Sequence, residues 1–113
     1  MKTAALTAAS LLLALSCSNP FDSSIDVRYE VSGTADSVDV TYENLNGGIS
    51  MVTGMTLPWS ITIEGDPGDY VYLSARNLGE SGSVTVTIYD DGDVFKRATS
   101  EGGGVTASVS GTL

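Results

Sequence analysis

The chain has 113 residues, enough for one domain, and it is acidic, with 14 Asp and Glu against five Lys and Arg. This charge balance excludes a nucleic-acid-binding role, because no basic stripe offsets the repulsion of phosphate groups. The chain contains no histidine and one cysteine, so it lacks the commonest general base and transition-metal ligand and cannot form an internal disulfide. We therefore expect a protein that is not an enzyme and that needs no cofactor.

Residues 1–16 have the pattern of a secretory signal peptide. Lys2 supplies a short positive start, an apolar run follows as far as Leu15, and small residues precede Cys17. The apolar run is shorter than the roughly 20 residues that a permanent membrane-spanning helix needs. We predict that residues 1–16 are removed on export.

The segment from Leu13 to Cys17 resembles the lipobox of bacterial lipoproteins. In that family the cysteine thiol receives a diacylglyceryl group, so the resemblance implies lipidation of Cys17. It also implies a lipid anchor in the cell membrane or outer membrane, with the protein facing the periplasm or the cell exterior. Ala14 and Ser16 also satisfy the small-x-small rule of ordinary signal peptidase, which predicts the same cut without a lipid. Residues 17–24 are then the lipidated cysteine and a short polar tether.

From residue 25 to residue 113, apolar and polar residues alternate in short runs, as is typical of antiparallel strands. Residues 49–56 fit this pattern less well and predict a weaker strand or two short extended pieces. The residues that we assign to inward faces are, in chain order, Val27, Tyr29, Val31, Val38, Val40, Tyr42, Trp59, Ile61, Ile63, Val71, Leu73, Ala75, Val84, Val86, Ile88, Val105, Ala107 and Val109.

Turn residues divide these runs at intervals of 8–12 residues. The strongest signal is Asp91-Gly92, because both residue types tolerate the positive φ angles of a tight hairpin turn. Seven or eight short strands at this spacing predict an immunoglobulin-like antiparallel β-sandwich, and a small β-barrel is the alternative.

Two groups of side chains are candidate sites. Asp90, Asp91 and Asp93 place three carboxylates within four residues, and calcium prefers oxygen ligands. Their spacing differs from that of a twelve-residue calcium loop, so we interpret them as a hairpin turn and only weak metal candidates.

The second group consists of Tyr70, Tyr72 and Tyr89, which lie in the outward register of their predicted strands. Tyrosine buries a large ring and keeps a polar tip, which suits contact with a protein or a sugar. We predict that these three residues form an exposed contact stripe.

Three segments resemble the extracytoplasmic domain of the MmpS family: residues 29–35, 38–44 and 57–60. Residues 84–92 match more loosely, and the resemblance covers most of residues 25–113. Members of that family are small accessory partners of RND-type exporters of lipids and siderophores in mycobacteria, and they have an immunoglobulin-like β-sandwich. This chain differs from them in two ways: it has a lipobox-like sequence instead of a single membrane span, and it has no cysteine after position 17.

The leading hypothesis is a membrane-anchored, non-catalytic interaction module that assists an envelope transport complex, with an envelope or RND transporter protein as partner. The alternative is a β-sandwich that binds a small ligand or carbohydrate through Tyr70, Tyr72 and Tyr89.

Overall fold

The computed structural model describes residues 24–113, and the predictions for the signal peptide, Cys17 and nearly all of the tether lie outside this range. The described residues form eight strands: β1 (Ile25–Ser32), β2 (Val38–Glu43), β3 (Ile49–Met55), β4 (Trp59–Gly65), β5 (Tyr70–Asn77), β6 (Ser83–Asp90), β7 (Asp93–Glu101) and β8 (Thr106–Thr112). Over the same range, no helix has the length and apolar character that crossing a membrane requires.

The strands form two four-stranded antiparallel sheets. Sheet 1 has the order β4-β1-β6-β7, and sheet 2 has the order β3-β2-β5-β8. The sheets pack face to face, and β7 contacts β8 along one side of the molecule. The predicted β-sandwich of seven or eight strands is confirmed, with eight strands, and the alternative of a small barrel is wrong because the strands remain in two separate sheets.

The core lies between the sheets and is built by the alternation seen in the sequence. In sheet 1, Tyr29 stands between Ile61 of β4 and Ile88 of β6. In sheet 2, Val40 stands between Val52 of β3 and Ala75 of β5. A fully buried valine or isoleucine contributes about 1.5–3 kcal/mol through removal of its surface from water. The side chains with no exposed surface include Val27, Tyr29, Val31, Val38, Val40, Val71, Leu73, Ala75, Val84, Val86 and Ile88.

Residues 49–55 form one continuous strand, so the suggestion of two short pieces is wrong. Ile49 is paired with Glu43, and Met51 with Thr41, which places both apolar side chains on the outer surface of sheet 2. The alternation was weak here because these outward positions carry apolar residues where polar ones are usual.

Three aromatic rings link the two sheets inside the core. The Tyr29 and Tyr42 ring centroids are 5.5 Å apart, and those of Tyr42 and Trp59 are 5.7 Å apart. The Tyr29 hydroxyl donates a 2.8 Å hydrogen bond to the Glu43 carbonyl, so a residue of sheet 1 is bonded to a strand of sheet 2. Burial raises the pKa of Tyr29 to about 12, because the phenolate would lose its hydration in the core.

At the end of the sandwich where β5 finishes, the Asn77 side chain joins the β5–β6 loop to the β7–β8 loop. It is fully buried, and its amide nitrogen donates to the Ser81 and Gly102 carbonyls, both at 2.9 Å. Its amide oxygen accepts from the Gly79 N–H at 2.8 Å. Because each polar atom of the side chain is paired, its hydrogen bonds offset the cost of removing the amide from water, and the amide stabilises the loops.

Candidate functional site

The outer surface of sheet 1, which we call face 1, carries a set of polar side chains bonded to one another. The Arg28 guanidinium carbon lies 4.4 Å from the centroid of the Tyr89 ring. The Tyr89 hydroxyl donates to a Glu30 carboxylate oxygen at 2.8 Å, and Arg28 is 3.5 Å from the same oxygen. The three side chains therefore satisfy each other's charge and hydrogen-bonding capacity.

Neighbouring positions on face 1 continue this pattern. The Arg97 Nε donates to the Thr87 hydroxyl at 3.2 Å, and the Thr85 and Thr99 hydroxyls are 2.8 Å apart. Thr87 is almost fully buried although its side chain points outward, because it lies on a central strand beneath Arg97. The centre of face 1 is thus covered by its own polar side chains, whereas Val94, paired with Tyr89 on the edge strand β7, is 52% exposed.

A depression of about 260 Å³ lies on face 1 beside this set, lined by Asp26, Arg28, Thr62, Tyr89 and Gly92. Ligand pockets usually measure about 300–1,000 Å³ and are mostly apolar. This depression is smaller, and two of its lining side chains, Arg28 and Tyr89, are already engaged with each other. Its geometry does not favour binding of a small molecule.

The outer surface of sheet 2, which we call face 2, differs in character. Ile49, Met51 and Tyr70 are 56%, 64% and 52% exposed, and they lie on strands β3 and β5. Acidic Glu43 separates Ile49 from the centre of the sheet. Large apolar side chains on the outer surface of an otherwise polar sheet are typical of a contact with another molecule.

The structure separates the three tyrosines of the predicted contact stripe. Tyr70 and Tyr72 lie on β5 in the outward register of sheet 2, whereas Tyr89 lies on β6 in the outward register of sheet 1. The three residues therefore do not form one surface. Tyr70 and Tyr72 belong to face 2, and Tyr89 is part of the bonded set on face 1.

The aspartate cluster forms a hairpin turn. Asp91 and Gly92 have φ angles of 48° and 90°, as the turn prediction requires. The Asp91 carboxylate accepts the Asp26 N–H at 2.8 Å, and the Asp91 N–H donates to the Asp26 carbonyl at 2.9 Å. Asp91 thereby fastens the turn to the start of β1. Between residues 24 and 113, no group of three His, Cys, Asp or Glu side chains is arranged to hold a metal ion.

Two residues with clear structural roles escaped the sequence analysis. The amide network of Asn77 was missed, although an Asn two residues before a glycine at the end of an apolar strand is a recognised turn signal. Asn44 was also missed: its side-chain oxygen accepts the N–H groups of Asn46 and Gly48, and its nitrogen donates to the Ser50 hydroxyl at 3.0 Å. These bonds hold the β2–β3 hairpin.

Comparison with known proteins identifies the family. Residues 8–109 match a family model described as Mycobacterium membrane protein. The chain is 34% identical over 84 residues to the siderophore export accessory protein MmpS5 of Mycobacterium tuberculosis, and to a probable transport accessory protein, MmpS5, of Mycobacterium bovis. Each alignment covers 74% of this chain and 57% of the relative, so the chain matches little more than half of the length of these curated relatives. The chain belongs to the Mycobacterium membrane protein family, which is the MmpS family that its sequence resembles.

Proposed function

We propose that this protein is a non-catalytic accessory subunit of an RND-type transport complex in the cell envelope. The observation that carries the proposal is the 34% identity with accessory proteins of transport and siderophore export across 74% of the chain. We further propose that a lipid on Cys17 holds the protein at the membrane and that residues 18–24 tether the sandwich to it.

The surface chemistry supports an interaction role. Face 2 exposes Ile49, Met51 and Tyr70, a set suited to contact with another protein, whereas the depression on face 1 is small and two of its lining side chains are engaged with each other. The alternative of a binding site formed by Tyr70, Tyr72 and Tyr89 has no support from the geometry, because Tyr89 lies on the opposite face.

Co-purification tests the partner. The full chain carries an affinity tag and is produced in its own host, and membranes are solubilised in a mild detergent. Quantitative mass spectrometry of the purified material should show an RND-type transporter enriched at least ten-fold over an untagged control. A transporter level equal to that of the control would refute the proposed role.

The anchor is tested separately. Metabolic labelling with a fatty-acid analogue should mark the wild-type chain and not a Cys17→Ser variant, and only the wild-type chain should remain in washed membranes. An unlabelled wild-type chain would leave cleavage by ordinary signal peptidase as the correct interpretation.

A further inference from the structure

Strand β3 has one hydrogen-bonded neighbour and one free edge. It pairs with β2, and in residues 24–113 no strand pairs with its other side. In an antiparallel pair, every second residue directs its N–H and C=O away from the neighbour. The free edge of β3 is therefore a row of backbone donors and acceptors that an extended chain can match.

The other three edges of the sandwich are protected and β3 is not. β7 carries Lys96 and Arg97, β4 carries Glu64, and β8 lies against β7 on the closed side of the molecule. Charged residues on edge strands normally prevent pairing with foreign chains. β3 contains neither a charged residue nor a proline, and its outward side chains Ile49 and Met51 are more than half exposed.

Side-chain hydrogen bonds at the two ends of β3 define the length of its free edge. The Asn44 side chain fixes the hairpin before β3 and donates to Ser50. At the other end, the Asp39 carboxylate accepts the Gly54 N–H at 3.1 Å, where the β2–β3 register shifts and Gly54 has a φ of 65°. A bulge of this kind twists an edge and stops pairing. The regular segment thus runs from residue 49 to residue 52.

Charge decides what kind of chain the edge accepts. Thirteen acidic and four basic residues lie in the described range, so a second copy would bring two strongly negative domains side by side. Glu43, paired with Ile49, points outward one strand away from the free edge. Strands are about 4.8 Å apart, so a lysine or arginine on an added strand would lie about 10 Å from β2, within reach of Glu43.

We infer that the free edge of β3, at residues 49–52, binds an extended segment of the transporter that carries apolar residues flanked by lysine or arginine, and that this segment becomes a fifth strand of sheet 2. The inference rests on the proposed function, because the transporter is the partner named there. Main-chain hydrogen bonds supply the attraction, and the contacts with Ile49, Met51 and Glu43 select the sequence.

The first test uses two matched double variants of the tagged full chain. Ile49→Lys/Met51→Lys introduces charge at the free edge, and Thr106→Lys/Ser108→Lys adds the same charge on exposed positions of β8 in the same sheet. The β3 variant should retain at least ten-fold less transporter, whereas the β8 variant should retain the wild-type amount within two-fold. Equal protease resistance of both variants in membranes would establish that they are folded.

The second test maps the partner. A photo-crosslinking amino acid is placed at position 49 or 51 of the full chain in native membranes, with position 108 as control. Positions 49 and 51 should attach to one transporter segment, at sites two residues apart, because paired strands advance together. Position 108 should not attach to that segment.

The outcomes separate the two proposals. A wild-type chain that retains no transporter overturns the proposed function and this inference with it. A transporter retained equally by the β3 variant, or crosslinks from positions 49 and 51 to a second copy, to residues 1–23 or to scattered transporter sites, overturns the inference alone.

Discussion

The two outer faces of the sandwich have four strands each but differ in how their side chains are engaged. On face 1, Arg28, Glu30 and Tyr89 bond to one another, and Arg97 covers Thr87. On face 2, Ile49 and Met51 project from a free strand edge with no charged residue beside them on that strand. A face whose polar groups are paired internally gains little from a partner, whereas exposed apolar surface and unpaired backbone gain much. The difference favours face 2 as the side of the molecule that binds the proposed partner.

The largest expected effect comes from disrupting the hydrogen bonds of Asn77, which hold the loops at one end of the sandwich. Asn77→Asp replaces an amide donor by a carboxylate that faces the Ser81 and Gly102 carbonyls, which should lower the free energy of unfolding at pH 7 by about 3–5 kcal/mol. The folded-state pKa of this aspartate would be raised, so stability should fall as the pH rises above about 4. Urea unfolding at pH 3 and pH 7 measures both effects.

Asn46→Asp is the matched control, because Asn46 is exposed in the β2–β3 turn. It should change the free energy of unfolding by less than about 0.5 kcal/mol. If both variants lose a similar amount of unfolding free energy, the buried Asn77 amide does not stabilise the loops as we infer.

The next effect concerns Tyr29 of sheet 1, whose hydroxyl is bonded to the Glu43 carbonyl of β2 in sheet 2. The folded protein holds the pKa of Tyr29 at about 12, above its ordinary value of 10.0. The stabilising contribution is therefore complete below pH 10 and is lost as the pH rises to 12, at about 1.4 kcal/mol per pH unit. Tyr29→Phe should remove this slope and cost about 1 kcal/mol at neutral pH.

Denaturant unfolding between pH 8 and pH 12 checks the prediction. Tyr70→Phe, which removes an exposed hydroxyl on face 2, should keep the wild-type slope. If the unfolding free energy of Tyr29→Phe falls with pH as steeply as that of the wild type, Tyr29 is not the group that causes the fall.

A smaller effect tests whether face 1 is held together by its own bonds. Tyr89→Phe removes the hydroxyl that donates to Glu30, which should cost about 1 kcal/mol because the acceptor is charged but partly exposed. A double-mutant cycle with Glu30→Gln should give a coupling energy of similar size. If the effects of the two changes simply add, Tyr89 and Glu30 do not stabilise each other. Face 1 would then not be held by its own hydrogen bonds, and this difference from face 2 would be lost.

The smallest expected effect on stability belongs to face 2. Ile49→Lys/Met51→Lys should change the free energy of unfolding by about 0.5 kcal/mol or less, because both side chains are already more than half exposed. Thermal melting of the full chain in detergent measures this value. A loss of several kcal/mol would show that these residues stabilise the fold and would weaken the case for face 2 as a binding surface.

Local patterns in the sequence predicted the local structure well. Inward positions such as Tyr29 and Leu73 follow from a two-residue period, and the Asp91-Gly92 turn follows from the residues at its centre. Both features depend on neighbours in the chain, so one sequence is enough to locate them.

Features that depend on distant pairing were not predictable in the same way. Alternation shows that Tyr72 and Tyr89 point outward, but it does not show that β5 and β6 belong to different sheets, because strand order is set by long-range pairing. The network of Asn77 likewise joins residues 79, 81 and 102, which only the folded chain brings together. The free edge of β3 was hidden for the same reason.

The bulge near Gly54 has a consequence for binding strength, because it limits the regular edge of β3 to residues 49–52. About four backbone hydrogen bonds, each with a net value of about 0.5–1.5 kcal/mol, do not by themselves offset the loss of translational and rotational freedom on association, which costs about 4–15 kcal/mol. A free domain would therefore occupy such a site only briefly. Under the proposed function, a lipid anchor holds this chain in the same membrane as its partner, which raises the local concentration of each for the other. Weak pairing along the short edge then becomes frequent and remains reversible.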